Sequence, residues 1–300
     1  MIEDKNTREI ETADQPLVSV LMTAFNRRLY IGEAIESVLN STYTNIELIV
    51  VDDCSSDNTF ELAKRYAEKD DRLHVYRNET NLGDYPNRNR AASYAKGKYI
   101  KYLDSDDVIY PHGIAVMVAC MEKFPDAGFG LSQNAFGDQL HPIRLDPRES
   151  YLRNFLTEDV FGRAPGSSII KTQAFIDSGG FSGMRQMGDY EYWLSLAQKY
   201  PVVTLPKDLV WDRVHGEQEQ FLDSAADKEV MWVNVAKSAL DSSSCPLSQS
   251  EKEMAHRRLD TDLKKTFWKL LIRYGQIKSA MIYRSKLELS WGLLFSLQAK

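Results

Sequence analysis

Cysteine is scarce in this chain of 300 residues, and its distribution argues against two kinds of covalently stabilised protein. The three cysteines, Cys54, Cys120 and Cys245, are odd in number, lie far apart and form no Cys-x-x-Cys pair. This pattern is not that of a disulfide scaffold or a cysteine-based zinc site, and it favours a reducing compartment. A chain of this length needs neither device, because folding buries about three quarters of its surface.

Long apolar runs are also lacking. No stretch of eighteen apolar residues occurs, so the sequence predicts no membrane-spanning helix. Residues 1–15 are acidic and contain no apolar core of a secretory signal, so we expect a mobile leader there. These absences predict a cytoplasmic protein, either free or attached to the inner face of the cell membrane.

Glycine, proline and net positive charge are not in excess either. With 16 Gly, 10 Pro and 11% aromatic residues, the composition excludes collagen-like and disordered chains. Its 37 Lys and Arg face 43 Asp and Glu, a net charge of −6, which argues against a nucleic-acid partner. What remains is an ordinary globular chain, and its length allows one large α/β domain with additions or two small domains.

Apolar runs of strand length alternate with amphipathic runs of helix length from residue 16 onward. The predicted strands are Leu17–Ala24, Ile46–Val51, Leu73–Tyr76, Tyr99–Leu103, Ala127–Leu131, Ser167–Ile170 and Leu209–Val214. The predicted helices are Tyr30–Leu39, Asp57–Tyr66 (Asp57 as N-cap), Asn87–Ala95, Pro111–Phe124 and Asp189–Gln198. The alternation predicts a Rossmann-like, mostly parallel sheet covered by helices. We expect residues 132–165 to be irregular.

Acidic residues collect where two of the predicted strands end. Asp52 and Asp53 follow the second strand, and Asp104-Ser105-Asp106-Asp107 follows the fourth. Closely spaced carboxylates repel one another when dry, and a divalent cation such as Mg²⁺ or Mn²⁺ relieves that repulsion. The alternative interpretation is that these are solvated Asp-rich turns. Two clusters at strand ends favour this alternative less than a single cluster would.

Several short motifs follow one another in a distinctive order. They are Thr23-Ala24-Phe25-Asn26, Val50-Val51-Asp52-Asp53, Asn81-Leu82-Gly83, Arg88-Asn89, Leu103-Asp104-Ser105-Asp106-Asp107, Gly179-Gly180-Phe181 and Gly188-Asp189-Tyr190. In this order the chain resembles the inverting family-2 glycosyltransferases of the GT-A fold, over residues 16–215. The resemblance implies a nucleotide-diphospho-sugar donor, most often a UDP-sugar, and a divalent metal, Mn²⁺ or Mg²⁺.

The resemblance also assigns nucleotide and metal residues. Those that it places at the donor nucleotide are Thr23, Ala24, Phe25, Asn26, Asp53, Arg88, Asp104 and Ser105. Asp53 would accept a hydrogen bond from the uracil ring, and Asp104 would face the ribose or the sugar. Asp106 would hold the metal, with Asp107 in support. His215 is either a further metal ligand or a hydrogen-bonded structural residue.

Asp189 is the catalytic base that the resemblance implies, acting on the acceptor hydroxyl. The alternative is that Asp189 only caps a helix, and Glu191 is a weaker candidate base. The helix dipole lowers the pKa of an Asp at a helix start and burial raises it, so its basicity depends on which effect is larger. The chain departs from the family pattern at Cys54, where Gly is preferred, at Asn87, where a small residue is usual, and at Gly188, where Glu is common.

Part of the C-terminal quarter carries a positive local charge, opposite in sign to the net charge of the chain. Seven Lys or Arg and no acid lie between Lys264 and Lys286, interleaved with aromatic and aliphatic residues. A basic amphipathic segment of this kind is typical of an anionic membrane interface. Packing on the catalytic domain or on a second subunit, as in a homodimer, is the alternative.

We therefore expect three parts: a leader (1–15), a GT-A catalytic domain (16–223) and a helical C-terminal region (224–300) with membrane association as one interpretation. The catalytic domain would have a nucleotide-binding half (16–107) and an acceptor half (108–223). The expected activity is transfer of a sugar to a glycan or lipid-linked oligosaccharide in surface polysaccharide biosynthesis. The alternatives are a nucleotidyltransferase, another nucleotide-sugar enzyme, or an inactive nucleotide-binding relative.

Overall fold

A computed structural model describes residues 15–134, 139–215 and 225–296. The strands are β1 (Val18–Ala24), β2 (Ile46–Asp52), β3 (Leu73–Arg77), β4 (Tyr99–Tyr102), β5 (Val108–Ile109), β6 (Phe129–Ser132), β7 (Ile143–Leu145), β8 (Ser168–Lys171), β9 (Val202–Leu205) and β10 (Val210–Trp211). The helices are α1 (Ile31–Leu39), α2 (Thr59–Ala67), α3 (Asp84–Ala92), α4 (Gly113–Glu122), α5 (Pro147–Leu156), α6 (Thr172–Ser178), α7 (Gly188–Ala197), α8 (Ala225–Asp241), α9 (Gln249–Trp268), α10 (Ile277–Lys286) and α11 (Trp291–Phe295). The predicted leader lies outside the described residues except for Gln15.

Eight of these strands form one mixed sheet in the order β3-β2-β1-β4-β8-β6-β9-β7. Strands β3, β2, β1 and β4 are parallel, and β8 is the first antiparallel strand. Every residue of β2 is buried, Glu47 and Asp52 included, so the strand is covered on both faces. The predicted mostly parallel α/β sheet is confirmed. The order reverses at β1 and β4, and ligands of open α/β sheets bind at such a point, beyond the carboxyl ends of the strands.

The first helices differ from prediction at their N-terminal ends. Helix α2 begins at Thr59 with Asn58 as N-cap, so the expectation that Asp57 caps it is wrong. The Asp57 carboxylate instead accepts a hydrogen bond from the Thr59 N–H at 2.9 Å, a local turn that precedes the helix. Helix α3 begins at Asp84, before the expected Asn87. Pro86 does not prevent this, because the N–H groups of a first turn have no partner within the helix.

The expectation that residues 132–165 are irregular is wrong for part of this segment. They contain β7 and the ten-residue helix α5. Asp146 caps α5 by accepting from the Glu149 N–H at 2.8 Å, and Pro147 occupies the first helical turn. Asp before Pro is a helix-start signal, and Tyr151 and Phe155 supply the buried face.

The C-terminal helices pack on the sheet domain through α8 and the first half of α9. Trp232 of α8 stacks on Tyr190 of α7 with ring centroids 5.7 Å apart. Leu259 of α9 belongs to the same buried cluster as Tyr151, and Glu251 forms an ion pair with Arg148. The end of α9 joins α10 and α11 in a separate small cluster. Within the described ranges, no helix is both long and apolar enough to cross a membrane.

Cys54 adopts the left-handed conformation directly after the second strand. Its φ is +63°, a region that costs an L-residue with a Cβ about 1–2 kcal/mol relative to right-handed backbone. The turn therefore keeps the shape that glycine favours although glycine is absent. The Cys54 Sγ lies 3.7 Å from the Glu79 carbonyl oxygen, a weak contact.

Replacement of Cys54 by glycine should raise the free energy of unfolding by a few tenths to about 1 kcal/mol, because relief of the left-handed strain exceeds glycine's extra unfolded-state entropy. Urea unfolding measures the change. Cys54→Ala is the matched control, since it removes the thiol and keeps the Cβ. A Cys54→Gly variant no more stable than Cys54→Ala would contradict the prediction.

Candidate active site

A cleft of about 620 Å³ opens at the carboxyl ends of β1, β2 and β4. Of the predicted site residues, its walls include Thr23, Ala24, Phe25, Asp53, Arg88, Asp104, Ser105, Asp106 and Asp189. Among the described residues, the walls carry seven aspartates and three cationic side chains, Arg27, Arg88 and Lys228. The fold thus brings the two acidic motifs and the predicted base to one strongly acidic cavity.

Asn26 and His215 are the two predicted site residues outside the cleft walls. Asn26 has a φ of +53°, and its side-chain oxygen accepts a hydrogen bond from the Ser56 N–H at 2.9 Å. Its own N–H donates to Ser55 Oγ at 2.9 Å. In this structure Asn26 joins the loop after β1 to the loop after β2.

Asp53 is a buried carboxylate that holds the loop before α3. Its Oδ1 accepts hydrogen bonds from the Asn78 side-chain amide and the Leu82 N–H, both at 2.8 Å, and its Oδ2 accepts from the Gly83 N–H at 2.9 Å. An ionised carboxylate has about four lone-pair sites, so one remains for a ligand in the cleft. Asp53 therefore shapes the cleft wall as well as lining it.

Arg88 of α3 lies almost fully buried between two carboxylates. Its Nη2 donates to Asp104 Oδ1 at 2.7 Å, and its Nε donates to Asp84 Oδ1 at 2.8 Å. These carboxylates raise the pKa of the Arg88 guanidinium well above its usual value in spite of its burial. Its Nη1 makes no hydrogen bond within the part of the chain that the structure describes. A buried cationic N–H₂ group without a partner is costly, and an anionic ligand in the cleft would remove that cost.

Asp106 is the meeting point of three basic residues. The Arg27 Nε donates to Asp106 Oδ2 at 3.0 Å, and the His215 Nε2 lies 2.8 Å from the same oxygen. Arg213 Nε donates to the Asp106 carbonyl oxygen at 2.8 Å. The His215 ring is held by stacking on Tyr30, with centroids 4.8 Å apart. His215 thus reaches the site through Asp106, although it is 109 residues away in the sequence.

Asp106 and His215 together offer an oxygen and a nitrogen donor to a metal. Carboxylate oxygen suits Mg²⁺ and Mn²⁺, and imidazole is a common ligand of transition metals. Within the described ranges, no group of three or more His, Cys, Asp or Glu side chains could hold a metal ion by itself. The donor set therefore fits an ion whose remaining ligands are substrate oxygens and water, the usual arrangement for Mg²⁺.

Asp107 and Lys101 are buried charged residues beside the acidic motif. Burial raises the pKa of Asp107 to about 7, and the neighbouring Asp104 adds to this rise. Burial lowers the pKa of Lys101 to about 7. The Lys101 ammonium donates to the carbonyl oxygen of Gly166, and so ties β4 to the loop that carries Pro165 into the cleft. The sequence analysis missed Lys101; a lone lysine inside an apolar strand was the available signal.

Asp189 occupies the first turn of α7 at the cleft. Its Oδ1 accepts a hydrogen bond from the Tyr190 N–H at 2.7 Å, while Met187 is the N-cap residue. Burial raises the pKa of Asp189 to about 6, against the smaller lowering by this hydrogen bond and by Arg88. Burial is thus the largest influence on the pKa of Asp189.

Gly188 permits the contact that positions Asp189. A Cβ on Gly188 would lie 2.7 Å from Cε2 of Tyr85, so the Tyr85 ring occupies the place of a side chain there. The Asp189 N–H donates to the Tyr85 hydroxyl oxygen at 3.1 Å. Tyr85, which the sequence analysis did not single out, thereby takes over support of the helix start. Glu191 faces a different groove, between α7 and α8, and is not in the acidic cleft.

A family model described as glycosyl transferase family 2 matches residues 19–193. The putative teichuronic acid biosynthesis glycosyltransferase TuaG of Bacillus subtilis is 43% identical over 93 residues, 31% of this chain and 37% of TuaG. The glycosyltransferase GlyG of Streptococcus pneumoniae is 40% identical over 162 residues, 53% of this chain and 54% of GlyG. The chain thus spans between about a third and just over half of these relatives.

Two solved structures share the architecture over most of the chain. TarS (residues 1–349) of S. aureus, in complex with UDP-GlcNAc, has a TM-score of 0.65 at 18% identity and covers 90% of each chain. The mannosyltransferase PcManGT of Pyrobaculum calidifontis, in complex with GDP-Man and Mn²⁺, has a TM-score of 0.58 at 16% identity, over 94% of this chain and 88% of that one. Identities this low show a common fold only.

Substitution of Asp53 by alanine should destabilise the protein by about 2 kcal/mol, because the buried N–H donors of Leu82 and Gly83 lose their acceptor. Urea denaturation monitored by circular dichroism measures the loss. Asp53→Asn keeps one acceptor oxygen and should lose less. Equal stabilities of the wild type and Asp53→Ala would show that the loop does not depend on this carboxylate.

Proposed function

The chain belongs to glycosyl transferase family 2. From this premise we propose that it is a glycosyltransferase, which carries out an inverting, divalent-metal-dependent transfer from a UDP-sugar to a glycan or lipid-linked glycan acceptor. The observation that carries the proposal is the position of Asp189, a carboxylate with a pKa of about 6, in the same cleft as Asp104 and Asp106. Acceptor activation and donor binding are thereby assigned to one cavity.

The donor nucleotide is assigned to the end of the cleft lined by Thr23, Ala24, Phe25 and Asp53. The free lone pair of Asp53 suits a ring N–H such as that of uracil. The uncommitted Nη1 of Arg88 suits an anionic or carbonyl oxygen of the donor. A UDP-sugar is therefore the donor class that we propose, and the UDP-GlcNAc complex of TarS is an example in the same fold.

The metal is assigned to Asp106 and His215. A diphosphate in the cleft would be repelled by its seven aspartates. Among the described residues, three cationic side chains line the cleft and offset part of this negative charge. A divalent cation held there would neutralise charge on the leaving diphosphate. The Arg27 Nε donates to Asp106 Oδ2, so the guanidinium already brings positive charge to the carboxylate that is proposed to hold the metal.

The proposed chemistry is one displacement at the anomeric carbon of the donor sugar. Asp189 Oδ2 takes the proton of the acceptor hydroxyl as its oxygen forms the bond to C1, and the bond from C1 to the diphosphate oxygen breaks. The electron pair of that bond leaves on UDP, and the configuration at C1 inverts. A base with a pKa near 6 is ionised at neutral pH and still basic enough to accept the proton.

Removal of divalent cations should weaken UDP binding at least tenfold, or about 1.4 kcal/mol, because Asp106 and the diphosphate then repel each other. Isothermal titration calorimetry with Mn²⁺ and with EDTA measures the difference. Asp106→Asn should reduce the effect of EDTA, whereas Asp208→Asn, an exposed aspartate outside the cleft, should not. Equal UDP affinity in Mn²⁺ and EDTA would contradict metal dependence.

Replacement of Asp189 by asparagine should lower kcat by roughly 10²–10⁴, the usual contribution of one general base, and leave UDP-sugar affinity unchanged. Asn keeps the acceptor for the Tyr190 N–H, so the helix start is preserved. In the wild type, kcat/KM should fall about tenfold per pH unit below about pH 6, because only the ionised carboxylate accepts a proton. The kcat/KM of Asp189→Asn should not show this fall at acidic pH.

Glu191→Gln is the matched control for Asp189→Asn and should keep wild-type turnover, since Glu191 lies in the other groove. Near-normal turnover of Asp189→Asn would reassign the base, with Asp212 in the cleft as the next carboxylate. An α-linked product from an α-linked donor, identified by NMR, would overturn the inverting mechanism.

A further inference from the structure

The end of α9 and the start of α10 form a projecting segment, Lys269–Lys278, which we call the tip. It consists of a short π-helical stretch, Lys269–Arg273, followed by a turn at Gly275, whose φ is +61°. All seven residues from Ile272 to Lys278 are exposed. The exposed fractions of Ile272, Tyr274 and Ile277 are 74%, 52% and 63%. Large apolar side chains are thus presented to solvent together at one place.

The apolar residues of the tip alternate with cations. Lys269 and Arg273 lie over the ring of Tyr274, at 5.7 and 5.9 Å from its centroid. Neither they nor Lys278 form an ion pair with any described residue. The sequence from Lys264 to Lys286 contains no acid to offset them. Some surface lysines and arginines elsewhere on this acidic protein do pair with carboxylates, as Lys98 does with Glu122 and Arg144 with Asp126.

The tip rests on a small core of its own. Phe267, Ala280 and Tyr283 are buried beneath it, and the Tyr283 hydroxyl donates to Glu229 of α8 at 2.8 Å. Met281 and Ile282 of α10 continue the exposed apolar surface beyond the tip. The side chains of the tip are therefore supported from below and are not needed to complete the protein's own core.

We propose that the tip is a membrane-interface element, which inserts Ile272, Tyr274 and Ile277 among lipid headgroups while Lys269, Arg273 and Lys278 contact anionic phosphates. Apolar side chains ringed by unpaired cations are the composition that such an interface stabilises. A symmetric contact with a second copy would place these cations against themselves and is disfavoured by repulsion. The proposal stands on the tip alone and does not depend on the sugar chemistry proposed above.

Vesicle flotation with the full chain tests the proposal, using phosphatidylcholine alone and phosphatidylcholine mixed with phosphatidylglycerol. We expect binding to the mixed vesicles. It should weaken as salt rises from about 0.1 M to about 1 M, which shortens the Debye length from about 10 Å to about 3 Å. The Arg273→Gln/Lys278→Gln double variant should lower affinity for the mixed vesicles by roughly fivefold or more per charge removed.

The double variant Ile272→Ser/Ile277→Ser should reduce binding to the mixed vesicles at least tenfold without a change in charge. Ile176→Ser is the matched control, because Ile176 is an isoleucine with an exposed fraction of 62% on α6, and it should bind like the wild type. Thermal unfolding checks that the variants are folded. Failure of the wild type to float, unchanged flotation of the isoleucine variant, or a dimer in sedimentation that this variant dissociates, would overturn the proposal.

Discussion

Carboxylates accumulate at one edge of the sheet, and much of the surrounding structure compensates their repulsion. Parallel strands end at the same edge, so the acidic residues that follow β2 and β4 meet, and Asp84, Asp189 and Asp212 join them. Like charges this close raise one another's energy unless cations or hydrogen bonds compensate. The fold compensates with Arg88 between Asp84 and Asp104, and with Arg27 at Asp106. The net charge of the cleft walls remains negative after this compensation. That negative charge is the physical basis for the metal ion proposed beside the diphosphate.

Several residues of the recognised motifs serve the backbone rather than the ligand. Asn87 accepts from the Asn78 amide and donates to the Val51 carbonyl oxygen, which ties α3 to β2. Asn89 makes two hydrogen bonds with the backbone of Phe181, at 2.8 and 3.0 Å. These side chains hold α3 against β2 and against the loop between α6 and α7, and α3 in turn holds Arg88 and Tyr85 at the cleft. Motif residues can thus be essential to the geometry of a site without touching the substrate.

The C-terminal region combines the two interpretations that the sequence left open. Helix α8 and the first half of α9 pack on the sheet domain, with Leu259 and Trp232 against its aromatic core. The end of α9, α10 and α11 form a satellite core instead, and the basic, apolar tip projects from it. Packing on the sheet domain is thus a property of the first part of the region and membrane contact is proposed for the tip, since only the part that reaches the main core can bury its apolar face there.

The parallel half of the sheet, β1 to β4, and the place of the two acidic motifs could be predicted from the sequence, because hydrophobic period and strand-end chemistry are local signals. Strands β7 and β9 and helix α5 could not. Only the tertiary structure decided that Tyr85 fills the space above Gly188, that Lys101 ties the Pro165 loop, and that His215 and Arg27 converge on Asp106. It also placed Asp189 where burial raises the pKa of its carboxyl above the usual value. These are contacts between residues distant in sequence, and a pKa set by burial has no local signature in the chain.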